Sequence, residues 1–215
     1  MRLVLLGAPG SGKGCQAKAL SEELKIFWIS PGVILREEIR KDSILGKKVV
    51  AFVRSGELVP DDVVLEVVKK KIEAPECKNG FILDGFPRTL AQAVGLEKLL
   101  KERGEQLDKA IKLQVSEKTV IQRLSGRLVC SVCAAAYNVD LQPPKIEAKC
   151  DLCGGDLVYR PDDQENSILN RIKIYNEKAE PLEEYYRKNG QLKVIDGEGD
   201  PLSVRDRILK GIEKR

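Results

Sequence analysis

Residues 2–18 read RLVLLGAPGSGKGCQAK, and the fold turns on how this stretch is taken. RLVLL is a short apolar run of strand-forming residues, GAPGSGKG is a turn of permissive ones, and CQAKALSEEL has the polar and apolar spacing of an amphipathic helix. Gly7 to Lys13 fit the spacing G-x-x-x-x-G-K between a strand and a helix. Glycines there let successive backbone N–H groups point into one concavity, and the helix N-terminus adds partial positive charge. Gly10, Ser11, Gly12, Lys13, Gly14 and Cys15 are therefore candidate phosphate-binding residues, with Lys13 as the mobile cation. One feature is irregular. The usual pattern has a hydroxyl directly after the lysine to hold magnesium, and here Gly14 and then Cys15 follow. The metal must be anchored elsewhere, and Asp84, closing the apolar run FILD (81–84), is the candidate.

Outward from this loop the same rhythm continues. Apolar runs at 2–6, 26–30, 81–84, 110–115 and 192–196 alternate with helical patterns such as VVLEVVKKKIE (63–73) and LAQAVGLEKLLKERG (90–104), with a closing helix near 202–213. Uniformly apolar strands are covered on both faces, so the expectation is an α/β fold with a five-stranded parallel sheet between helical layers. Two stretches break the rhythm. Residues 30–59 suggest short helices with no strand between them, and 126–163 hold four cysteines, QPPK and paired glycines with little periodicity. Both are expected to be insertions, leaving a core of 1–29, 60–125 and 164–215. Insertions at the carboxyl end of a parallel sheet are where ligands are usually covered.

Composition narrows the chemistry. The chain has 215 residues, 42% hydrophobic and 33% charged, with 37 basic against 33 acidic side chains. A formal charge of +4 is too balanced to argue for nucleic acid by itself. There is no histidine, which excludes histidine bases, triads and metal ligands. The opening apolar run is too short for a signal peptide, and nothing approaches a membrane span, so a cytoplasmic protein with reduced thiols is expected.

Reduced thiols decide how CSVC (130–133) and CDLCGG (150–155) are read. Two C-x₂-C pairs sixteen residues apart suit one closed tetrahedral site, with Cys130, Cys133, Cys150 and Cys153 as zinc ligands. Two disulfides or free thiols are the alternatives. A four-thiolate site has no open position, so the metal would be structural, replacing the core that so polar a segment cannot build. Cys15 and Cys77 have no spaced partner.

GAPGSGKG, LDGFPRTLAQA (83–93), Gly126-Arg127, YRPDDQ (159–164) and the spaced Arg171 together resemble the adenylate kinases, nucleoside monophosphate kinases, in their long-lid zinc-binding form. The resemblance runs nearly end to end. It implies a monophosphate-binding insertion at 30–59 and a lid at 126–163. It also implies Mg-dependent transfer of the terminal phosphoryl of ATP to AMP, giving two ADP, by a monomer with no nucleic-acid or membrane partner. In that family the loop reads G-K-G-T, so Gly14 is ordinary and Cys15 stands in for threonine. By the same resemblance Arg36 and Arg88 hold the AMP phosphate, Gln92 hydrogen-bonds its base, and Pro31, Glu57, Leu58, Val59, Gly85, Phe86 and Pro87 complete the pocket. A cis bond before Pro87 is implied too. Arg123 would lie against the ATP base with Ala136, Tyr137 and Gly199 nearby. Arg127, Arg160 and Arg171 would close on the transferring phosphoryl. Such chemistry needs alignment and cations rather than a histidine.

The chain leaves the family pattern most clearly at SPGV (30–33), where S-T-G-D is usual. Pro31 cannot donate a hydrogen bond, and Val33 lacks a carboxylate. A weakened or regulatory relative with altered monophosphate preference is thus a second reading. A zinc-ribbon nucleic-acid-binding ATPase is a third, but the cysteine segment has few aromatics and DGFPRT would go unexplained. Conversion of ADP to ATP plus AMP without nucleic acid separates the enzyme from that alternative.

Overall fold

The computed structural model describes residues 1–133, 135–160 and 163–213. The chain runs β1 (Arg2–Leu6), α1 (Lys13–Leu24), β2 (Phe27–Ile29), α2 (Pro31–Arg40), α3 (Ile44–Ser55), α4 (Asp61–Ile72), β3 (Phe81–Asp84) and α5 (Leu90–Glu102). It continues through β4 (Lys109–Gln114), α6 (Glu117–Ser125), β5 (Arg127–Cys130), β6 (Ala136–Asn138), β7 (Leu157–Tyr159), α7 (Glu165–Lys188), β8 (Leu192–Asp196) and α8 (Pro201–Glu213).

Strands β2, β3, β1, β4 and β8, in that spatial order, form one all-parallel sheet. The five apolar runs of the sequence are these five strands. Pleating explains why they lack polar alternation. Val4 and Leu83 bury into one core with Val68, Leu96 and Tyr186. Leu3, Leu5 and Ile82 bury into the other with Leu20 and Ile208. Order along the sheet differs from order along the chain: β1 connects past β3 to the edge strand β2, and β3 connects past β1 to β4. The carboxyl ends of β1, β3 and β4 therefore open a crevice, where ligands bind in such sheets.

Two segments cap that crevice. Helices α2 and α3 occupy 31–55 with no strand between them, as the sequence suggests. The cysteine segment carries a three-stranded antiparallel sheet, β6–β5–β7, which sequence patterning did not foresee. Its strands have only three or four residues, too few for alternation to register. Helix α7 also went unmarked in the sequence; it runs 24 residues with Pro181 inside it. Among the described residues no helix is long and apolar enough to cross a membrane.

Candidate active site

The loop after β1 delivers what its glycines suggest. Gly12 caps α1 with φ 95°, a left-handed conformation that a side chain would strain. Lys13 begins the helix and folds back, its Nζ donating to the carbonyls of Gly7 and Ala8, both at 2.7 Å, and to Ser11 Oγ at 3.2 Å. Burial pushes its pKa down to about 7. Asp84 pulls the other way, while Arg88, Arg171 and Arg127 lower it further. The loop lysine thus lies within electrostatic reach of three arginines from three other segments.

Space explains the missing hydroxyl. A Cβ added at Gly14 would sit 3.3 Å from Asp84 Oδ2, so the carboxylate at the end of β3 crowds the place where a serine or threonine would stand. Asp84 thus lies beside the start of α1, close enough to act on the charge of Lys13. Cys15 carries a thiol with raised pKa, desolvation outweighing the opposing pull of Arg123 and Lys18. A thiol held protonated is the opposite of an activated nucleophile.

Arg123, near the end of α6, spans two loops. Its Nη1 donates to Ser11 O at 3.3 Å and its Nη2 to Gly197 O at 3.2 Å. That second contact brings the turn holding Gly199 beside the phosphate loop. Ala136 is exposed on β6. Tyr137 is buried, its hydroxyl turned toward the cysteine cluster, so any ligand contact from residue 137 falls to its backbone.

Beside the loop lies an open hollow between α2, α3 and the carboxyl end of β3. The structure brings Pro31, Arg36, Glu57, Leu58, Val59, Gly85, Arg88, Gln92 and Arg171 to its walls. Leu35, Val53 and Val64, apolar lining that the sequence did not single out, complete it. Phe86 is fully buried in the core behind it, next to Pro87, and the peptide between them is cis. Arg88 Nε donates to Gly85 O at 2.8 Å. Val33 faces away, into a separate hollow beside Phe27 and Trp28.

A residue the sequence did not single out organises the arginines. The Asp163 carboxylate, 2% exposed, accepts from Arg127 Nε at 2.6 Å and Arg171 Nη1 at 2.8 Å, with Arg160 Nε at 3.9 Å. Arg127 Nη2 pairs with its other oxygen as well, a two-pronged fork. Burial lowers the pKa of Arg127, Arg160 adds to the effect, and Asp163 opposes it. The doubled acid in YRPDDQ is the only signal that could have found Asp163, since an acid buried among three arginines is a tertiary fact. Pro161 and Asp162 of that motif lie outside the described residues.

The four knuckle cysteines converge as their spacing requires, with all four sulfurs within 4.8 Å of one another. Cys130 and Cys153 Sγ are 3.4 Å apart, and Cys133 and Cys150 Sγ 3.5 Å, far beyond a disulfide. Tetrahedral ligation at 2.3 Å per bond puts sulfurs about 3.8 Å apart, so the donor set fits zinc. The second layer fits too. Val132 and Cys133 N–H groups point at Cys130 Sγ, and Tyr137 hydroxyl lies 3.5 Å from Cys150 Sγ while accepting from Asp151 N at 2.8 Å. The knuckle also touches the helical insertion: Arg40 Nη1, on α2, donates to Ser131 O at 3.0 Å.

A glycine loop closing the central strand, an acid closing its neighbour and buried arginines between two capping segments define an α/β phosphate-loop protein. The family profile described as adenylate kinase matches residues 5–191. The chain is 47% identical to an adenylate kinase of Thermosipho melanesiensis over 214 residues, all of both chains. It is 44% identical to one of Caldicellulosiruptor bescii over 212 residues, 99% of each, and 46% identical to one of Archaeoglobus fulgidus over 214 residues, all of this chain and 99% of that one. The chain belongs to the adenylate kinase family.

Proposed function

We propose that the protein catalyses reversible, Mg-dependent transfer of the terminal phosphoryl group of ATP to AMP, giving two ADP. The observation that carries this reading is the placement of one lysine: Lys13 of the phosphate loop feels Arg88 and Arg171, both of which wall the neighbouring hollow. A donor phosphate on the loop and an acceptor phosphate in the hollow would meet among the same cations. In this reading the loop N–H groups and Lys13 hold the ATP phosphates, and Arg123 flanks the nucleotide. Arg36 and Arg88 take the AMP phosphate, with Leu58 and Val59 against the base. Arg127, Arg160 and Arg171 surround the moving phosphoryl, where planar guanidinium forks match its oxygens and stay charged. Asp84 would hold magnesium, directly or through water, and the bound ion would supply charge neutralisation at the phosphates. Residues 30–59 act as the acceptor-binding insertion and 126–163 as a zinc-stapled lid over the donor.

No covalent intermediate is required of the protein, and Cys15, with its protonated thiol, is an inert neighbour of the loop. A coupled assay on the purified protein, free of nucleic acid, should show ADP converted to ATP and AMP with an absolute need for magnesium. Lys13→Ala and Arg88→Ala should each cost orders of magnitude in rate, because each removes a cation from developing charge. Near-normal turnover in both variants would sink the mechanism.

A further inference from the structure

Gln92, on the first turn of α5, has the most constrained amide in the hollow. It is 2% exposed, and both ends are bonded. Its Oε1 accepts from Arg88 N at 2.7 Å, and its Nε2 donates to Asp61 Oδ1 at 2.6 Å. Asp61 opens α4, and its other oxygen accepts from Thr89 Oγ1 at 3.0 Å. Thr89 caps α5, accepting from Gln92 N at 3.1 Å. These partners have fixed polarity. A backbone N–H only donates and an ionised carboxylate only accepts, so only one of the two amide orientations satisfies both. Turned over, the amide would set N–H against N–H and oxygen against carboxylate in a buried place.

An amide has two donor hydrogens and two acceptor lone pairs. After Asp61 and Arg88, one N–H and one lone pair remain, on sides that cannot exchange. Adenine presents acceptor N1 beside a donor 6-amino group. A 6-oxopurine in the same seat presents a donor N1–H beside an acceptor oxygen. A freely turning amide serves either edge, whereas a locked one serves only one. We propose that Asp61 is a positioning residue that sets the preference for 6-amino over 6-oxo purine monophosphates, by fixing the orientation of the Gln92 amide. This rests on the reading of Gln92 as the residue that meets the acceptor base.

The test compares kcat and KM for AMP and for IMP, at fixed Mg·ATP, in the wild type, Asp61→Asn, Asp61→Ala and Gln92→Ala. Asparagine keeps the size of Asp61 and an acceptor for Thr89, but its amide can face either end of Gln92. Asp61→Asn should lower the AMP-to-IMP ratio of kcat/KM by tenfold or more, mainly through KM, with kcat for AMP within about threefold of wild type. Asp61→Ala, which leaves only the Arg88 N–H to hold the amide and adds no donor, should shift the ratio the same way but by less. If both substrates lose equally in both Asp61 variants while Gln92→Ala does change the ratio, Asp61 is merely structural and the proposal is overturned. If Gln92→Ala leaves the ratio unchanged, the base contact itself is wrong, and the proposal falls with it.

Discussion

Lys13 opens the helix after β1 and Asp84 closes the adjacent strand β3, and each explains an oddity in the other's neighbourhood. Gly14 leaves room for the Asp84 carboxylate, which a Cβ there would approach to 3.3 Å, and in the proposed mechanism that carboxylate would take the part of the hydroxyl missing from the loop. Burial, with Arg88, Arg171 and Arg127 adding to it against the pull of Asp84, brings the Lys13 pKa down to about 7, so the unliganded lysine loses its proton near neutrality. Bound phosphate reverses that preference, because an anion beside the amine stabilises the ammonium. The bound-state pKa then lies above about 7, so nucleotide binding takes up a proton, and affinity falls as pH rises above 7. Calorimetry of ATP binding at pH 8 in two non-coordinating buffers of different ionisation enthalpy should therefore show a buffer-dependent heat. ATP itself is fully ionised there. Identical heats in both buffers would show that Lys13 keeps its proton throughout.

The small sheet β6–β5–β7 illustrates how an element too short to stand alone is stabilised. Its core among the described residues is Leu128, Cys130, Tyr137, Cys150 and Leu157, so two of its five buried members are also candidate ligands. Binding a metal there would join ligation and packing in one event, and structural zinc contributes roughly 10 kcal/mol or more to such folds. Protein purified under reducing conditions should contain one zinc per chain. Cys130→Ser or Cys150→Ser should release amide protection across 127–160 while β1 and β3 stay protected in hydrogen exchange. Metal-free protein with an intact exchange pattern would contradict this account. The C-x₂-C pairs were legible in the sequence, because ligand spacing is a local property. The strands around them were not, since their pairing is decided by partners up to 31 residues away.

At the scale of the molecule, the helical insertion and the cysteine segment meet through Arg40 and Ser131, and the arginines of the cleft meet at Asp163. The Arg40 bond joins two segments that neither share a sheet nor adjoin in sequence. Arg40→Ala should shift the distance distribution between labels on the two segments toward longer values. The closed fraction should fall by up to about fivefold, the scale of one ordinary hydrogen bond. An unchanged distribution in single-molecule fluorescence would show that the bond has no part in closure.

By itself the sequence determined the parallel sheet, the phosphate loop, the cysteine quartet and the family. Each depends on residues close in the chain: an apolar run sets a strand, glycine spacing sets a loop, and two residues between cysteines set a metal bite. Only the tertiary structure decided that Asp163 binds arginines from residue 127 to residue 171, that Asp84 fills the space at Gly14, and that Asp61 orients Gln92 from 31 residues away. Those contacts join side chains through the packing of separate strands and helices. Local pattern does not encode the distance between such elements, so a buried acid and an exposed one look alike until the chain is folded.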